Sequence, residues 1–286
     1  MDTQAIFDAA QTAWDEARPV PPDGAFVPGE NLPIMKGLRA ELDRDAGRAF
    51  ALVYMDPPYF TKRSQGDYED RWASFEDYLV MLTARVIAAR ELLAQDGCLW
   101  LHLDRRAVHY ARVMADLCFG GPDFLVNEVV WAYKSGGASR RRFSNKHDTL
   151  LFYAKDRRRY KFFPQKEKSY NRERKPYRFQ GVEEWEDGEG WYTLVNMKDV
   201  WEIPMVGRTA AERAGYASQK PEALLERIVC ACTERGDRCL DPFCGSGTLA
   251  AVCKRLGRDC LSIDENPRAI AIAQTRTKGA PTCHTP

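Results

Sequence analysis

The chain has 286 residues, 44% of them hydrophobic, and can therefore bury one large α/β core, or such a core with a smaller insertion, rather than two independent domains. No segment approaches the roughly 18 apolar residues that a membrane-spanning helix needs, and the first residues lack the basic and apolar regions of a signal peptide. We expect a cytoplasmic protein without membrane contact, although its net charge of +1 conceals a strongly uneven distribution.

Nine cysteines are spread through mostly apolar segments, and their odd number does not fit a complete set of disulfide pairs. We expect free, buried thiols in a reducing compartment. Cys230 and Cys232 are separated by one residue, whereas zinc-binding cysteine pairs are separated by two to four, and no histidine cluster lies nearby. The sequence therefore predicts no metal site.

In chain order, the first clear element is the continuous apolar run 50–55, which is typical of a strand covered on both faces in a parallel sheet. Apolar residues at helical spacing predict a helix over 76–93. A second strand is predicted over 98–103, and a second helix over 105–118. These elements predict a βαβα unit with Asp56 at the carboxyl end of its first strand.

The segment Asp56-Pro57-Pro58-Tyr59 contains the groups that activation of an aromatic amine requires. The lone pair of an adenine or cytosine amine is delocalised into the ring. A carboxylate and a backbone carbonyl that accept its two hydrogens would favour an sp3-like, nucleophilic nitrogen. The two prolines fix the backbone so that the Asp56 side chain and the Pro57 carbonyl converge, and Tyr59 offers a face to the base. The alternative interpretation is a rigid turn with a surface tyrosine.

A polar, charged stretch between Phe60 and Phe75 leaves directly from this motif. We predict a loop that orders over a flipped base, with Lys62 and Arg63 on DNA phosphates.

The segment 134–178 carries sixteen lysines and arginines against four acidic residues, although the whole chain has a net charge of only +1. Aromatic residues are interleaved with these charges or directly follow them, among them Tyr153, Tyr160, Phe162, Phe163, Tyr170, Tyr177 and Phe179. This composition suits a surface that follows phosphates and stacks bases, and a solvated loop is the alternative. The residues that we expect to bind DNA here are Lys134, Arg140, Arg141, Arg142 and Lys146.

The last third contains two successive βα units. A helix precedes them, from Pro221 to an end near Gly236. The units consist of strand 238–240, helix 248–256, strand 260–263 and a helix from Pro267. One strand is missing for a complete cofactor half, and segment 25–31 is the best candidate. We therefore predict a permuted sheet whose cofactor half is assembled from both ends of the chain.

The segment 241–248, Asp-Pro-Phe-Cys-Gly-Ser-Gly-Thr, joins a predicted strand to a predicted helix. Its glycines permit a tight turn and close approach of the backbone to a ligand, most simply S-adenosylmethionine. No Gly-Lys-Ser/Thr follows, which argues against a phosphate cradle. Asp264 comes about one βα unit later, at the next strand end, where a carboxylate can accept both ribose hydroxyls.

The two motifs, in this order, resemble the β-group of DNA amino-methyltransferases, in which Asp-Pro-Pro-Tyr precedes the recognition region and the Gly-rich motif comes last. The resemblance extends over 29–32, 124–131, 147–155, 218–222 and 236–276. It implies a Rossmann-like methyltransferase fold of the α/β class, with a permuted, doubly wound, mostly parallel sheet and a small target-recognition insertion. The implied division is a catalytic half over 1–131, the insertion over 132–199 and a cofactor-binding half over 200–286.

The resemblance also implies base flipping and S-adenosylmethionine as cofactor. Asp56, Pro57, Pro58 and Tyr59 match the catalytic motif. Glu30 stands where the family more often has Asp, and Ser218, Gln219 and Lys220 match a segment that closes over the methionine end. The full set of expected cofactor-binding residues is Glu30, Asn31, Asp56, Ser218, Gln219, Lys220, Asp241, Phe243, Cys244, Gly245, Ser246, Gly247, Thr248, Asp264 and Glu265.

Three functional hypotheses follow. The first is a sequence-specific adenine-N6 methyltransferase of double-stranded DNA, the second a cytosine-N4 enzyme, and the third a non-catalytic DNA-binding module with the same fold. His102, His109 and His147 are interpreted as structural, because an amine held by Asp56 does not require a histidine base. A homodimer is consistent with a compact chain whose short recognition segment covers limited DNA. The sequence leaves open whether a cognate restriction enzyme exists. The sequence leaves the DNA recognition site open.

Overall fold

The computed structural model describes residues 1–45, 48–61, 72–134 and 140–278. The predicted α/β class is confirmed, with a mostly parallel sheet covered by helices on both faces. In chain order, the elements are α1 (Thr3–Glu16), β1 (Phe26–Pro28), α2 (Asn31–Asp45), β2 (Phe50–Met55), α3 (Phe75–Leu92), β3 (Leu93–Leu103), α4 (Val108–Phe119), β4 (Leu125–Ala132), β5 (His147–Ala154), β6 (Lys166–Tyr170), β7 (Trp185–Asp187), β8 (Gly190–Asn196), β9 (Val200–Glu202), α5 (Glu222–Cys232), β10 (Arg238–Asp241), α6 (Thr248–Leu256), β11 (Asp259–Asp264) and α7 (Pro267–Lys278).

The main sheet has the order β1-β11-β10-β2-β3-β5-β4-β9 within the described ranges. The first five strands in this order, β1, β11, β10, β2 and β3, run parallel to one another. β5 is antiparallel to both of its neighbours, β3 and β4. The strand expected within 25–31 is β1, in which Val27 pairs with Ile263 of β11. The cofactor half of the sheet is therefore assembled from both ends of the chain, as the sequence predicts.

Alternation along the strands places side chains in two separate cores, one on each face of the sheet. Val53 and Met55 of β2 pack among residues of α1 to α4. Leu52 and Tyr54 face the other way, into a cluster with residues of α5 and α6. Residues 50–55 are all buried, which explains why this strand reads as a continuous apolar run.

The end of α5 differs from the sequence prediction, which placed it near Gly236. The last helical hydrogen bond runs from the Thr233 N–H to the Val229 carbonyl, and Thr233 itself is extended. Arg258 donates to the Thr233 carbonyl, which fixes this extended exit. Gly236 instead adopts a positive φ of 83° in the turn that leads into β10.

The range 132–199, predicted as one insertion, contains two different structures. β5 lies inside it and belongs to the main sheet, because its apolar residues fill the space between β3 and β4. The remaining strands β6, β8 and β7 form a small antiparallel sheet over residues 166–196. A recognition unit separate from the main sheet can therefore include the small sheet but not β5.

None of the helices in the described ranges is long and apolar enough to cross a bilayer. The same ranges contain no grouping of histidine, cysteine and carboxylate side chains arranged to hold a metal ion.

Candidate active site

Three aspartates stand at the carboxyl ends of neighbouring parallel strands. Asp56 follows β2, Asp241 ends β10 and Asp264 ends β11. The register pairs Leu240 with Val53 and places Asp241 opposite Ser262. Because the carboxyl ends of parallel strands meet at one edge, the two sequence motifs, far apart in the chain, form one site.

A cleft at this edge brings together the predicted catalytic residues and nearly all of the predicted cofactor-binding residues. It is lined by all four residues of the Asp-Pro-Pro-Tyr motif and by every expected cofactor-binding residue except Gly247. Sequence analysis missed several wall residues from α3 and from the segments before α3 and α5: Trp72, Met81, Arg85 and Tyr216. Of these, Arg85 gives a detectable signal, since it is a charged residue on the apolar side of a predicted helix.

The Gly-rich loop is held against β11 by main-chain and side-chain bonds. The Cys244 N–H donates to the Ile263 carbonyl at 3.0 Å, and the Gly245 N–H donates to Asp264 Oδ2 at 2.8 Å. Gly247 adopts a φ of 71° as the N-cap of α6, and a Cβ there would lie 2.5 Å from the Ala273 Cβ of α7. Gly247 therefore does not line the cleft. It lets the loop pack closely against α7, on the side of the loop away from the cleft.

The segment Glu30-Asn31 forms the opposite wall and is fixed by Arg85. The Arg85 Nε donates to Asn31 Oδ1 at 2.6 Å, and its Nη2 donates to Glu30 Oε1 at 3.2 Å. Asn31 Nδ2 in turn donates to the Pro242 carbonyl at 2.7 Å. These bonds connect the N-terminal and C-terminal parts of the cleft, so α3 holds both walls at a fixed separation.

Asp56 accepts hydrogen bonds from two side chains. The Tyr59 hydroxyl donates to Oδ1 and the Lys220 ammonium donates to Oδ2. The Lys220 ammonium also lies 5.2 Å from the centre of the Tyr59 ring. The Asp56 side chain is 16% exposed, and its partner Lys220 is 12% exposed. Sequence analysis placed Lys220 at the cofactor, and the structure adds its pairing with Asp56.

The carboxylates of the cleft are electrostatically prepared for a cation. Burial raises the pKa of Asp241 well above its ordinary value, and the negative charges of Asp56 and Asp264 raise it further, against a bond from the Phe243 N–H. Burial also raises the pKa of Asp264, against bonds from the Asn266 and Gly245 N–H groups. A positively charged ligand would stabilise the ionised forms of both groups.

Asp241→Asn is expected to stabilise the ligand-free protein and to weaken cofactor binding. The raised pKa means that the folded state binds more protons than the unfolded state, so the free energy of unfolding falls as pH rises from about 4 toward the raised pKa. An asparagine amide does not ionise, so the variant keeps this free energy of unfolding at neutral pH. The change also removes a negative charge near a cationic ligand, and we expect the affinity for S-adenosylmethionine to fall about tenfold or more.

The measurements are thermal unfolding at pH 6 and 8 and calorimetric titration with S-adenosylmethionine. Asp237→Asn is the matched control, because Asp237 lies at the opposite end of β10 and pairs with Lys161 at 2.8 Å. A melting temperature below that of the wild type together with unchanged affinity would contradict the prediction.

The expected DNA-binding residues of the basic segment lie beside the same edge. Lys134 follows β4, Lys146 precedes β5, and the Tyr133 N–H donates to the Lys146 carbonyl at 2.9 Å. Lys134 and the three arginines 140–142 are exposed, and Lys146 is half-buried. The predictions for Lys62 and Arg63 fall outside the described residues.

The residues of the cleft fit S-adenosylmethionine. Each oxygen of Asp264 accepts one backbone bond and keeps a further lone pair for a ribose hydroxyl. Phe243 and Met81 supply apolar surface, and the raised pKa values of the buried carboxylates match a ligand with positive charge. The glycines of the loop leave its backbone accessible at the N-terminus of α6.

The protein-family model for DNA methylases, which covers N6 and N4 enzymes, matches residues 50–275 of this chain. The Type II methyltransferase M.HpaI of Haemophilus parainfluenzae is 29% identical over 230 residues, which cover 79% of this chain and 67% of that protein. The Type II methyltransferase M2.DpnII of Streptococcus pneumoniae is 29% identical over 240 residues, covering 79% of this chain and 81% of that protein.

Two solved structures share the fold. The M1.HpyAVI–SAM complex has a TM-score of 0.58 at 18% identity and covers 88% of this chain and 98% of its own. The cytosine-N4-specific PvuII DNA methyltransferase has a TM-score of 0.61 at 15% identity, with coverages of 91% and 88%. Since the family model spans most of the sequence, including both the Asp56 motif and the Gly-rich loop, the chain belongs to the N6/N4 DNA methylase family.

Proposed function

We propose that this protein is a Type II, sequence-specific DNA methyltransferase that transfers a methyl group from S-adenosylmethionine to adenine N6 after base flipping. The observation that carries the proposal is the position of Asp56, which lines the cleft together with the Gly-rich loop and Asp264. When bound, S-adenosylmethionine supplies an electrophilic methyl group on a positively charged sulfur.

The residues of the chain activate and orient the amine. Asp56 and the Pro57 carbonyl accept the two amine hydrogens, which concentrates the lone pair on nitrogen. Tyr59 supplies a ring face to the base. Lys220 pairs with Oδ2 of Asp56 and so orients the carboxylate that accepts the hydrogen.

Base flipping follows from the depth of the site. Lys220 and Asp56 are 12% and 16% exposed, so a base stacked in a duplex cannot reach them. Lys134 and the basic residues 140–142 and 146 lie at the same edge and are proposed to bind the flanking phosphates, together with Lys62 and Arg63. The small sheet over 166–196 lies inside the predicted insertion 132–199 and is proposed to read the target sequence, whereas β5 stays with the main sheet. The flanking ranges 1–131 and 200–286 are proposed as the catalytic and cofactor-binding halves.

The choice of adenine over cytosine rests on the Asp at the head of the motif, which is more common among adenine enzymes of this family. Cytosine N4 is the second candidate, because its amine can be held by the same two acceptors and the fold matches a cytosine-N4 enzyme. We also propose a cytoplasmic location and a homodimer. We propose a cognate restriction enzyme as well, because the two relatives named above are Type II methyltransferases.

The test is incubation of mixed-sequence DNA with purified protein and methyl-labelled S-adenosylmethionine, followed by mass spectrometry of the nucleosides. Label in N6-methyladenine is expected. Label in N4-methylcytosine would transfer the proposal to the second candidate. Binding of DNA and S-adenosylmethionine without label in either base, across substrates of diverse sequence, would contradict catalysis and favour a DNA-binding module.

A further inference from the structure

A line of polar side chains runs inward from Asp56 across the neighbouring strands. His102 on β3 is completely buried, and its Nδ1 lies 2.8 Å from the Tyr54 hydroxyl and 3.8 Å from Asp56 Oδ1. Its Nε2 lies 3.4 Å from Asp148 Oδ2 of β5, at an angle that leaves this nitrogen without a hydrogen bond within the described residues. The other oxygen of Asp148 accepts a bond from the Tyr133 hydroxyl at 3.0 Å. A buried imidazole is therefore held between two carboxylates, one of which belongs to the catalytic motif.

The proposed reaction needs a proton acceptor behind Asp56. Once the amine nitrogen has formed its bond to the methyl carbon, it carries a positive charge and must lose one proton, whose bonding electrons stay on nitrogen. Asp56, which holds that hydrogen, is the first acceptor. A carboxylic acid is a strong enough acid to pass the proton on to a more basic neighbour, which restores the carboxylate for the next turnover.

Three described side chains lie against the Asp56 carboxylate, and one of them has a usable lone pair. Burial, followed by the charge of Asp56, raises the pKa of Tyr59 well above its ordinary value, so its phenol stays protonated. The Lys220 ammonium is already paired with Oδ2 and offers no lone pair. The imidazole of His102 presents Nδ1, a ring nitrogen that can accept a proton through its lone pair.

Asp148 sets the orientation of this imidazole. Burial opposes its ionisation, but the bond and charge of His102, followed by the charge of Lys220, lower the pKa of Asp148, so it stays a carboxylate. The nearby Asp148 carboxylate favours a proton on Nε2, although this contact must also tighten to become a hydrogen bond. In that tautomer the lone pair of Nδ1 lies toward Tyr54 and Asp56. The Tyr54 hydroxyl can rotate from donor to acceptor when Nδ1 gains a proton.

We propose that His102 is a positioning residue that receives the amine proton from Asp56 at Nδ1, and that Asp148 holds it for this role. The proposal rests on the proposed methylation of an amine. The proton passes from nitrogen to Asp56 and then to His102, leaving a neutral methylated amine and an imidazolium beside Asp148. The 3.8 Å between Oδ1 and Nδ1 must shorten by about 1 Å, as catalytic hydrogen bonds commonly do when substrate binds.

The test is single-turnover methylation by the wild type, His102→Gln, Asp148→Asn and the double variant. We expect His102→Gln to lower the rate about 100-fold while the affinities for S-adenosylmethionine and DNA stay within twofold. A loss of rate without a loss of affinity separates a role in proton transfer from a general loss of structure.

The double variant separates a shared role from two structural roles. If Asp148 acts through His102, the double variant is no slower than His102→Gln, whereas independent packing effects would multiply. Tyr133→Phe provides a milder change at the half-buried end of the line, with an expected slowing of a few-fold in the same direction. It keeps the test decisive if the buried variants fold poorly.

Two results would overturn the inference: a His102→Gln rate within threefold of the wild type, or an effect confined to substrate affinity or melting temperature. Wild-type enzyme that labels neither base would instead refute the proposed function itself. An active wild type with an equally active His102→Gln variant would refute the inference alone.

Discussion

Replacing Asp56 with alanine is expected to lower the methylation rate constant about 1,000-fold or more, because one of the two acceptors that activate the amine is lost. The same change leaves the Lys220 ammonium without its carboxylate partner in a largely buried position. The variant should nevertheless remain folded, because β2, the strand that directly precedes residue 56, is held in the sheet by its own buried apolar residues. The measurement is single-turnover transfer of a labelled methyl group to DNA.

Asp237→Ala serves as the control for the loss of an ion-paired aspartate. Asp237 pairs with Lys161, which also lies within 3.7 Å of Asp96 and Glu234, so the cation keeps other partners. We expect a small loss of stability and methylation within a factor of about three. Full activity of the Asp56 variant would show that the Pro57 carbonyl suffices as acceptor and would contradict the proposed role of the carboxylate.

Replacing Gly247 with alanine is expected to abolish measurable binding of S-adenosylmethionine and to destabilise the protein by about 3 kcal/mol. Two effects add. The residue has a left-handed φ of 71°, and the new Cβ would lie 2.5 Å from the Ala273 Cβ and 2.9 Å from its Cα. Either the loop or α7 must move, and movement of the loop withdraws Gly245 from its bond to Asp264.

The matched control is Gly257→Ala at the other end of the same helix. Gly257 has a nearly identical φ of 74°, but its Cβ would meet the flexible side chain of Arg235 at 3.1 Å. It should therefore lose about 1–2 kcal/mol from backbone strain alone and keep its cofactor affinity. Thermal unfolding and calorimetric titration of both variants make the comparison. Equal losses of affinity in both would mean that helix stability, not loop shape, governs binding.

Much of the fold follows from local sequence patterns. The strands around 50–55, 98–103, 238–240 and 260–263 are apolar runs between turn residues, and the structure contains all four. The second begins at Leu93, five residues earlier than predicted, whereas the others differ by at most one residue at each end. The N-terminal helix α1 was not predicted, although its signals are present. Asp2 caps it by accepting from two backbone N–H groups, and Ile6, Ala10 and Trp14 form a buried stripe at four-residue spacing.

The contacts within the site were beyond the reach of pattern alone. Ion pairs such as Lys220 with Asp56 span 164 residues of sequence, and no local spacing specifies them. Arg85 could be noticed as a charge on an apolar helix, but its bonds to Glu30 and Asn31 depend on how α3 packs. His102 was interpreted as structural because an amine held by Asp56 does not require a histidine base. Its neighbours Tyr54 and Asp148 come from the strands on either side of it, and the order of strands in the sheet is not visible in the sequence.

The permuted sheet has a consequence for how the protein is made. Asn31 and the Pro242 carbonyl are joined across 211 residues, and β1 completes the sheet only by pairing with β11. During synthesis, the residues of β1 leave the ribosome early, and their partner strand β11 is made only after most of the remaining chain. The early half can build the strands that carry Asp56, whereas the cofactor cleft closes last. A nascent chain released early would therefore carry the catalytic motif without a methyl donor site, and so could not methylate DNA.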